Sequence, residues 1–327
     1  MKKISLSLAI LCGLFFIVSC GNKKGPTIKV DNFSNGKAGE IILIMDHNIW
    51  PDTLRNEVKN VLTQPQPAIN QIEPMFDILD FQNKDFSSNF QRHRSIVRFD
   101  INPDYSGNTF NIENNVWSSP QVYVHIKGNN INDALRLFMD NQDRIINVLY
   151  DNDLKRLQTT YSRDVDANTE KLIREKFGIF LSVPSQYFVA SDEPDFLWLR
   201  FRTMRNDRFI MIYKTPMTEI TAEKLMDTRD SITKKYIPGA VQGAYPILAR
   251  KLGYPIIEQT RIGNKQGMEM RGLWESVNDK MGGPFYSFSF LDPSGQNCIT
   301  VDGFVYAPQE DKRDYIREVE AIVKSIR

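Results

Sequence analysis

The sequence has few of the residues, and none of the short motifs, that identify common enzyme classes. Its 327 residues include three cysteines and three histidines. It contains no paired CxxC, no HExxH, no GxxxxGKS/T loop and no Gly-x-Ser-x-Gly elbow, which excludes the usual signatures of zinc peptidases, P-loop proteins and α/β-hydrolases. His47, His93 and His125 are not at ligand spacing, so a zinc site would need distant residues brought together by the fold. We therefore expect no metal and no cofactor.

An excess of charge of one sign is also missing. The chain has 41 Lys and Arg residues against 40 Asp and Glu residues, which gives a formal net charge of +1. Domains that bind DNA or RNA usually carry a clear basic excess. We therefore expect no nucleic-acid partner.

Cysteine is too rare for a disulfide framework. Cys12 and Cys20 lie in or directly after an N-terminal apolar segment, which leaves Cys298 for the rest of the chain. An intramolecular disulfide in that remainder is therefore excluded. Cys298 lies in the apolar run 297–301, and we interpret it as a small buried hydrophobic residue rather than a nucleophile.

The N-terminus has the pattern of a bacterial lipoprotein signal. Two lysines precede an apolar run at 4–18, and Ser19-Cys20 follows that run. The run is too short for a transmembrane helix, and a small residue before the cysteine suits a lipoprotein signal peptidase. We predict that residues 1–19 are removed and that Cys20 carries the lipid. The alternative is an ordinary secretory signal with an incidental cysteine.

The remainder divides into a tether and two halves. Residues 20–38 are polar and have no sustained periodicity, so we predict a flexible tether between the membrane and the folded body. A polar helical stretch that ends at Gly178 is the best boundary within the body. We therefore predict an N-terminal half over 39–176 and a C-terminal half over 177–327.

The N-terminal half alternates between strand and helix patterns. The continuous apolar run at 40–46 predicts a buried central strand. Apolar residues at three- and four-residue spacing predict one long, bent helix over most of 132–161. The other predicted elements are strands at 75–81, 95–101 and 120–126, and helices beginning at Asp52 and Arg163.

The C-terminal half is richer in strands and ends with a helix. Its predicted elements are a hairpin at 196–203 and 208–215, a helix at 221–236, strands at 256–262, 267–275, 285–291 and 298–306, and a closing helix at 310–326. The segment Gly282-Gly283-Pro284 predicts a turn that positions Phe285, or alternatively a loop that closely approaches a ligand. Strands with separate covering helices predict an α+β fold, with mixed or antiparallel sheets covered by amphipathic helices.

Several local strings resemble a known family. They are Gly36-Lys37-Ala38-Gly39-Glu40, Glu73-Pro74-Met75-Phe76, Arg92-His93-Arg94-Ser95-Ile96, Val116-Trp117-Ser118-Ser119-Pro120-Gln121, Arg271-Gly272-Leu273-Trp274-Glu275 and Gly282-Gly283-Pro284-Phe285. With Trp50, these strings resemble DUF4837, a family of uncharacterised Bacteroidota lipoproteins, over nearly the whole mature chain. The resemblance implies lipid-anchored export and a single unit from about Gly39 onward, and it supplies no catalytic residues.

The predicted location is the cell envelope. No acidic run of the kind we associate with surface export follows Cys20, since the next residues are Gly-Asn-Lys-Lys. We therefore expect an outer-membrane lipoprotein that faces the periplasm and contacts the membrane through its N-terminal lipid.

Tryptophan and arginine supply the candidate binding residues. Trp50, Trp117 and Trp274 lie in or beside predicted loops and strand ends, and Arg271 precedes Trp274 by three residues. Exposed tryptophans could stack on sugar rings or anchor a protein partner; the alternative is that they fill the space between sheet and helices. The second candidate group is Arg92 and Arg94, whose guanidinium groups could bind an anion or simply form surface ion pairs.

These observations leave three functional hypotheses. The favoured one is a non-enzymatic binding or assembly component with an envelope protein or glycan as partner, because no catalytic set is recognisable. The second is an envelope-polymer hydrolase that uses carboxylates such as Asp46 and Glu73 as acid and base, which requires both in one cleft. The third is a carrier of a small apolar ligand, which the 20 phenylalanines permit.

Overall fold

A computed structural model describes residues 33–327 of the chain. The predicted signal at 1–19, the lipid site Cys20 and the tether as far as residue 32 lie outside the described residues. The last predicted tether residues are held against the N-terminal half, where the backbone of Asn35 exchanges hydrogen bonds with Arg92 and Arg94 at 2.9 and 3.0 Å.

The N-terminal half is built on a five-stranded mixed sheet. Its strands are β1 (Glu40–Ile44), β2 (Asp77–Phe81), β3 (Ser95–Ile101), β4 (Thr109–Asn114) and β5 (Val122–Gly128). They lie in the order β2-β1-β3-β5-β4, and all neighbours are parallel except β4 and β5. The predicted first strand is therefore an interior strand, as its apolar run requires.

Helices cover one face of this sheet. They are α1 (Asp52–Leu62), α3 (Ile131–Asp140) and α4 (Gln142–Tyr161), while α2 (Ser88–Gln91) is a single turn on the opposite face. The helix-covered face buries side chains such as Leu43, Val97 and Val124 against Phe138 and Leu149. The opposite face buries Ile44, Ile96 and Tyr123 under the aromatic residues Phe81, Phe86, Phe90 and Trp117.

Two features of this half differ from the prediction. The long helix predicted over 132–161 is two helices that meet at Asn141. The apolar spacing continues across this break from Phe138 to Ile145, so periodicity could not reveal it. The polar edge strand β4 was not predicted, because its residues are mostly exposed and lack a clear apolar alternation.

The C-terminal half is built on an eight-stranded antiparallel sheet. Its strands are β6 (Phe188–Glu193), β7 (Phe196–Arg202), β8 (Asp207–Pro216), β9 (Tyr245–Leu248), β10 (Ile256–Ile262), β11 (Lys265–Val277), β12 (Gly282–Leu291) and β13 (Asn297–Tyr306). The order is β10-β11-β12-β13-β8-β7-β6, and β9 pairs with the far end of β11. With the two sheets and their covering helices, the α+β prediction is confirmed.

Helices cover both faces of the C-terminal sheet. They are α5 (Ala167–Phe177), α6 (Ala222–Tyr236) and α7 (Arg313–Val323). On one face, Leu225 and Met226 of α6 pack on an aromatic layer of the sheet. On the other face, α5 and α7 bury Ile173, Phe177 and a row of α7 residues. Gly178 ends α5 in the left-handed conformation at φ 66°, as predicted for a glycine C-cap.

The predicted turn at Gly282-Gly283-Pro284 is wrong, because these residues begin strand β12. Glycine is required at position 283, since an added Cβ would lie 2.1 Å from the carbonyl oxygen of Val305 and 3.3 Å from Nε1 of Trp274. The glycine therefore permits the close approach of the Trp274 side chain to the neighbouring strand. Strands β6 and β9, which are short or exposed, were also not predicted.

Helix α7 lies between the two halves and contacts both. Its Ala321 belongs to the N-terminal core, while Val319 packs on the C-terminal sheet. The contact with the sheet needs Gly303 of β13, where an added Cβ would lie 2.0 Å from Val319 Cγ1. Buried Arg317 donates to Asp153 Oδ2 at 3.3 Å, and Asp153 also accepts from Arg94 at 3.3 Å. The last helix thus joins the two halves through packing and charge.

Across residues 33–327, no helix combines the length and the apolar character needed to cross a bilayer.

Candidate ligand-binding cleft

A cleft opens on the C-terminal sheet where helix α6 stops covering it. The helix ends at Tyr236, and the following residues 237–240 form one wall beside Pro246 of β9. The floor comes from strands β7, β8, β11 and β13. The cleft measures about 400 Å³, which lies within the usual range of small-molecule sites, about 300–1,000 Å³.

Aromatic side chains line the floor in a continuous row. Strand pairing places Phe209 of β8 opposite Phe304 of β13, and their rings stack at 4.4 Å. Trp198 stacks on Phe209 at 5.9 Å from one side. Trp274 meets the edge of Phe304 at 5.5 Å from the other side, with Tyr306 beside it at 6.4 Å. Such a floor suits a flat, partly apolar ligand face.

Charged groups stand at one end of this row. Arg200 Nη2 donates to Asp207 Oδ2 at 2.6 Å, and its guanidinium lies over the Phe209 ring at 5.3 Å. Arg202 Nε lies 3.4 Å from Asp207 Oδ1, and the Arg202 side chain is 64% exposed. Asp207 is therefore paired with a half-buried arginine on one oxygen and an exposed arginine on the other.

The cleft contains buried polar atoms without a hydrogen-bond partner. Among the described residues, Asp279 Oδ2 is a buried carboxylate oxygen in this state, whereas Asp207 Oδ1 has Arg202 Nε at 3.4 Å as an ion-pair partner. Two donors of residues that line the same cleft, Trp198 Nε1 and Arg200 Nε, are also unpaired. An unpaired buried polar group costs about 1–3 kcal/mol. A group that both donates and accepts hydrogen bonds would satisfy donors and acceptors together, and a hydroxyl has this property.

The predicted tryptophans lie in three different surroundings. Trp274 lines the cleft, is almost fully buried and donates its Nε1–H to the Val305 carbonyl at 3.1 Å. Trp50 is buried in the N-terminal core with its ring edge-on to Phe99 at 5.1 Å. Trp117 is half-buried and packs on Phe86 and Tyr123 on the opposite face of the N-terminal sheet.

The predicted arginines are held in protein contacts. Arg92 is exposed and donates to the Phe33 carbonyl at 3.2 Å. Arg94 is buried and donates to Asp153 and to the Gly36 carbonyl. Of the predicted binding residues that the structure describes, Trp274 alone reaches the cleft.

Arg271 belongs to a charge cluster between the C-terminal sheet and α7. Its Nη2 lies 2.8 Å from Glu269 Oε1 and 3.4 Å from Glu320 Oε1. Lys324 is 2.8 Å from Glu320, and the hydroxyl of Tyr150 donates to the same carboxylate. Burial opposes ionisation of Glu320, yet Arg271 and Lys324 outweigh it and hold the pKa of Glu320 below its usual value. Every carboxylate here has partners, so the cluster has the character of a structural cross-link.

The carboxylates proposed for hydrolysis have separate structural roles. Asp46 accepts hydrogen bonds from the backbone and side chain of Asn83 at 2.8 and 2.9 Å. Glu73 accepts from the backbone N–H groups of Lys312 and Arg313 at 2.7–3.0 Å, at the N-terminus of α7. A carboxylate in that position stabilises the helix. Within residues 33–327, no cluster of three or more His, Cys, Asp or Glu side chains could hold a metal ion.

Trp198, Arg200 and Asp207 were not predicted from the sequence as site residues. A signal for the first two was present, because residues 198, 200 and 202 alternate along β7 and therefore share one face. Asp207 was assigned to the hairpin loop, whereas it is the first residue of β8 and pairs with Arg202. Cys298 is fully buried, and burial raises the pKa of its thiol to about 11, which fits the hydrophobic interpretation.

Comparison with protein-family models gives two adjacent matches. Residues 34–162 match DUF8532, and residues 166–325 match DUF4837; both are described as domains of unknown function. No curated protein matches the chain. The predicted resemblance to DUF4837 is thus confirmed for the C-terminal half, while the N-terminal strings fall in the range of the other model. Residues 166–325 are therefore similar to the DUF4837 domain, and residues 34–162 to the DUF8532 domain.

Proposed function

We propose that this protein is a lipid-anchored, non-enzymatic binding protein of the bacterial cell envelope. The sequence supports the anchor through the apolar run at 4–18 and the Ser19-Cys20 pair that follows it. The absence of an acidic run after Cys20 supports an outer-membrane position facing the periplasm, and the resemblance to DUF4837 lipoproteins supports an origin in Bacteroidota. The ligand of the proposed binding protein is held in the cleft of the C-terminal half.

The ligand class that fits the cleft best is a glycan. The observation that carries this proposal is the presence of two unpaired donors and one unpaired acceptor in a single aromatic cleft, at Trp198, Arg200 and Asp279. Sugar rings present apolar faces that stack on aromatic side chains and hydroxyls that both donate and accept hydrogen bonds. A purely apolar ligand would leave these three groups unsatisfied, at a cost of about 1–3 kcal/mol each.

The charge of the cleft favours a neutral glycan. Arg200 and Arg202 are balanced by Asp207 and Asp279 among the lining residues. An anionic ligand would meet two carboxylates, and a cationic ligand would meet two guanidinium groups. A neutral, hydroxyl-rich ring avoids both repulsions.

The test is a glycan-binding screen of the full-length protein in detergent, followed by titration calorimetry on the glycans that it retains. We expect Asp279→Asn to weaken binding about tenfold, because the amide supplies a donor where the ligand needs an acceptor. Asp227→Asn is the matched control, since its carboxylate lies on α6 and is 81% exposed. Retention of no glycan, or equal affinity for the Asp279→Asn variant and the wild type, would refute the proposal.

A further inference from the structure

We infer that the cleft is one part of a longer groove, and that its ligand is an extended oligosaccharide that touches both halves of the protein. This inference rests on the function proposed above. A second cleft of about 380 Å³ adjoins the first. The two clefts share Trp274, Asp279, Met281 and Tyr306 as lining residues, so these side chains form a common wall along which the clefts adjoin.

The common wall is the connection between β11 and β12. Asn278 lies there in the left-handed region at φ 58°, and the Ser276 N–H donates to the Met281 carbonyl at 2.8 Å. Asp279 accepts the Lys280 N–H at Oδ1, at 2.7 Å, while its Oδ2 has no hydrogen-bond partner. The backbone bonds fix the turn, and Asp279 is thus held where the two clefts adjoin.

Residues of the N-terminal half also line the second cleft. Asn70 and Gln71 line it together with Leu252, Gly283 and residues of the C-terminal half. Gln71 is fixed in place, because it donates to Glu73 at 2.7 Å and accepts from Lys312 Nζ at 2.9 Å. A ligand that fills both clefts would therefore contact the segment before β2 as well as the C-terminal sheet.

An apolar side chain on the second cleft is available for sugar contact. Leu252 lies on the loop between β9 and β10 and is 65% exposed. Tyr254, two residues further along, is 66% exposed but lines neither of the two clefts. The pair offers a cleft residue and a control of the same exposure on one loop, where substitution leaves the core untouched.

The test measures how affinity depends on chain length. Binding of the full-length protein is titrated with oligomers of glucose, mannose and N-acetylglucosamine that contain one to six rings. We expect affinity to rise about tenfold or more between two and four rings and then to level off, because the second cleft adds contacts only for the longer chains. Leu252→Asp should abolish this rise, whereas Tyr254→Asp should preserve it.

The outcomes separate the two proposals. Equal affinity for two and six rings would overturn the extended groove and leave the first cleft as a site for a short glycan. The same conclusion follows if Leu252→Asp and Tyr254→Asp behave alike. Binding of peptides instead, or of no oligosaccharide of any length, would overturn the glycan function and the groove together.

Discussion

Each half of the molecule buries a tryptophan whose indole N–H has no hydrogen-bond partner, but the two tryptophans have different surroundings. Trp50 is enclosed in the helix-covered core of the N-terminal half, edge-on to Phe99. Trp198 borders the cleft of the C-terminal half, beside Arg200 and Asp207. An unpaired donor therefore does not mark a site by itself; Trp198 differs from Trp50 because it borders an open cleft that also contains an unpaired acceptor, Asp279 Oδ2.

The carboxylates show the same contrast between the half interface and the cleft. At the interface, Asp153 accepts from Arg94, Arg317 and the Gly39 N–H, and Glu320 is bound by Tyr150 and two cationic side chains. In the cleft, Asp279 keeps one buried oxygen without a hydrogen-bond partner. The same residue types thus serve cohesion in one place and remain available for a ligand in the other.

The substitution with the largest expected effect breaks the contact between the two halves. Arg317→Met removes the donor to Asp153, to Gln66 and to the Met75 carbonyl, all buried. We expect the free energy of unfolding to fall by about 3–5 kcal/mol, the usual cost of breaking a buried ion pair. Urea unfolding measures this free energy. Arg205→Met is the control, because that arginine is 80% exposed and pairs with Glu310 at the surface. Equal losses in both variants would show that the buried pair does not hold the halves together.

A smaller effect concerns the N-terminal sheet, which we expect to lose stability in acid. Burial, reinforced by Arg98 and Lys127 and opposed by Asp100, lowers the pKa of His125 from 6.5 to about 4. The unfolded chain then binds the proton more readily, so stability is lost as the pH falls from about 6.5 to about 4. We expect a loss of about 1–2 kcal/mol, less than the shift alone implies, because solvent screens part of the interaction.

The measurement is urea unfolding at pH 7 and pH 4.5 for the wild type and for His125→Gln, which does not titrate in this range. The stability difference between the two proteins should move in favour of the variant at the lower pH. A difference that is independent of pH would contradict the assignment of this acid sensitivity to His125.

The smallest expected effect sharpens the comparison between the two tryptophans. Trp198→Phe and Trp50→Phe each remove one unpaired indole N–H and keep an aromatic ring. We expect Trp198→Phe to weaken binding of the retained glycan about fivefold, the effect of one hydrogen bond of about 1 kcal/mol. Trp50→Phe should leave the dissociation constant unchanged. Titration calorimetry measures the dissociation constant of both variants. Equal effects would place the Trp198 donor outside the site.

The fold was more predictable from the sequence than the site. Alternating apolar strands such as Ser95–Ile101 were predicted with their observed ends, and Gly178 marked the end of α5. The strands β4 and β6 were not predicted because edge strands bury few side chains, and apolar alternation is the main sequence signal of a strand. The helix break at Asn141 was not predicted because the apolar spacing continues across it.

The site depends on contacts that no local pattern contains. Trp274 meets Phe304 because β12 pairs with both β11 and β13, and Gly283 leaves room for the indole. The prediction could therefore name Trp274 without naming the residues beside it. The alternation of Trp198 and Arg200 along β7 was readable, but only the end of α6 determines which part of that face is left uncovered.

The position of α7 along the chain also constrains the order in which the protein can assemble. Both sheets precede α7 in the sequence, yet Arg317 and Glu320 of α7 complete the charge clusters that join the two halves. During synthesis from the N-terminus, Asp153 and Tyr150 are made before their α7 partners Arg317 and Glu320, which follow more than 160 residues later. Until α7 has been synthesised, the two halves lack the packing and the ion pairs by which that helix joins them.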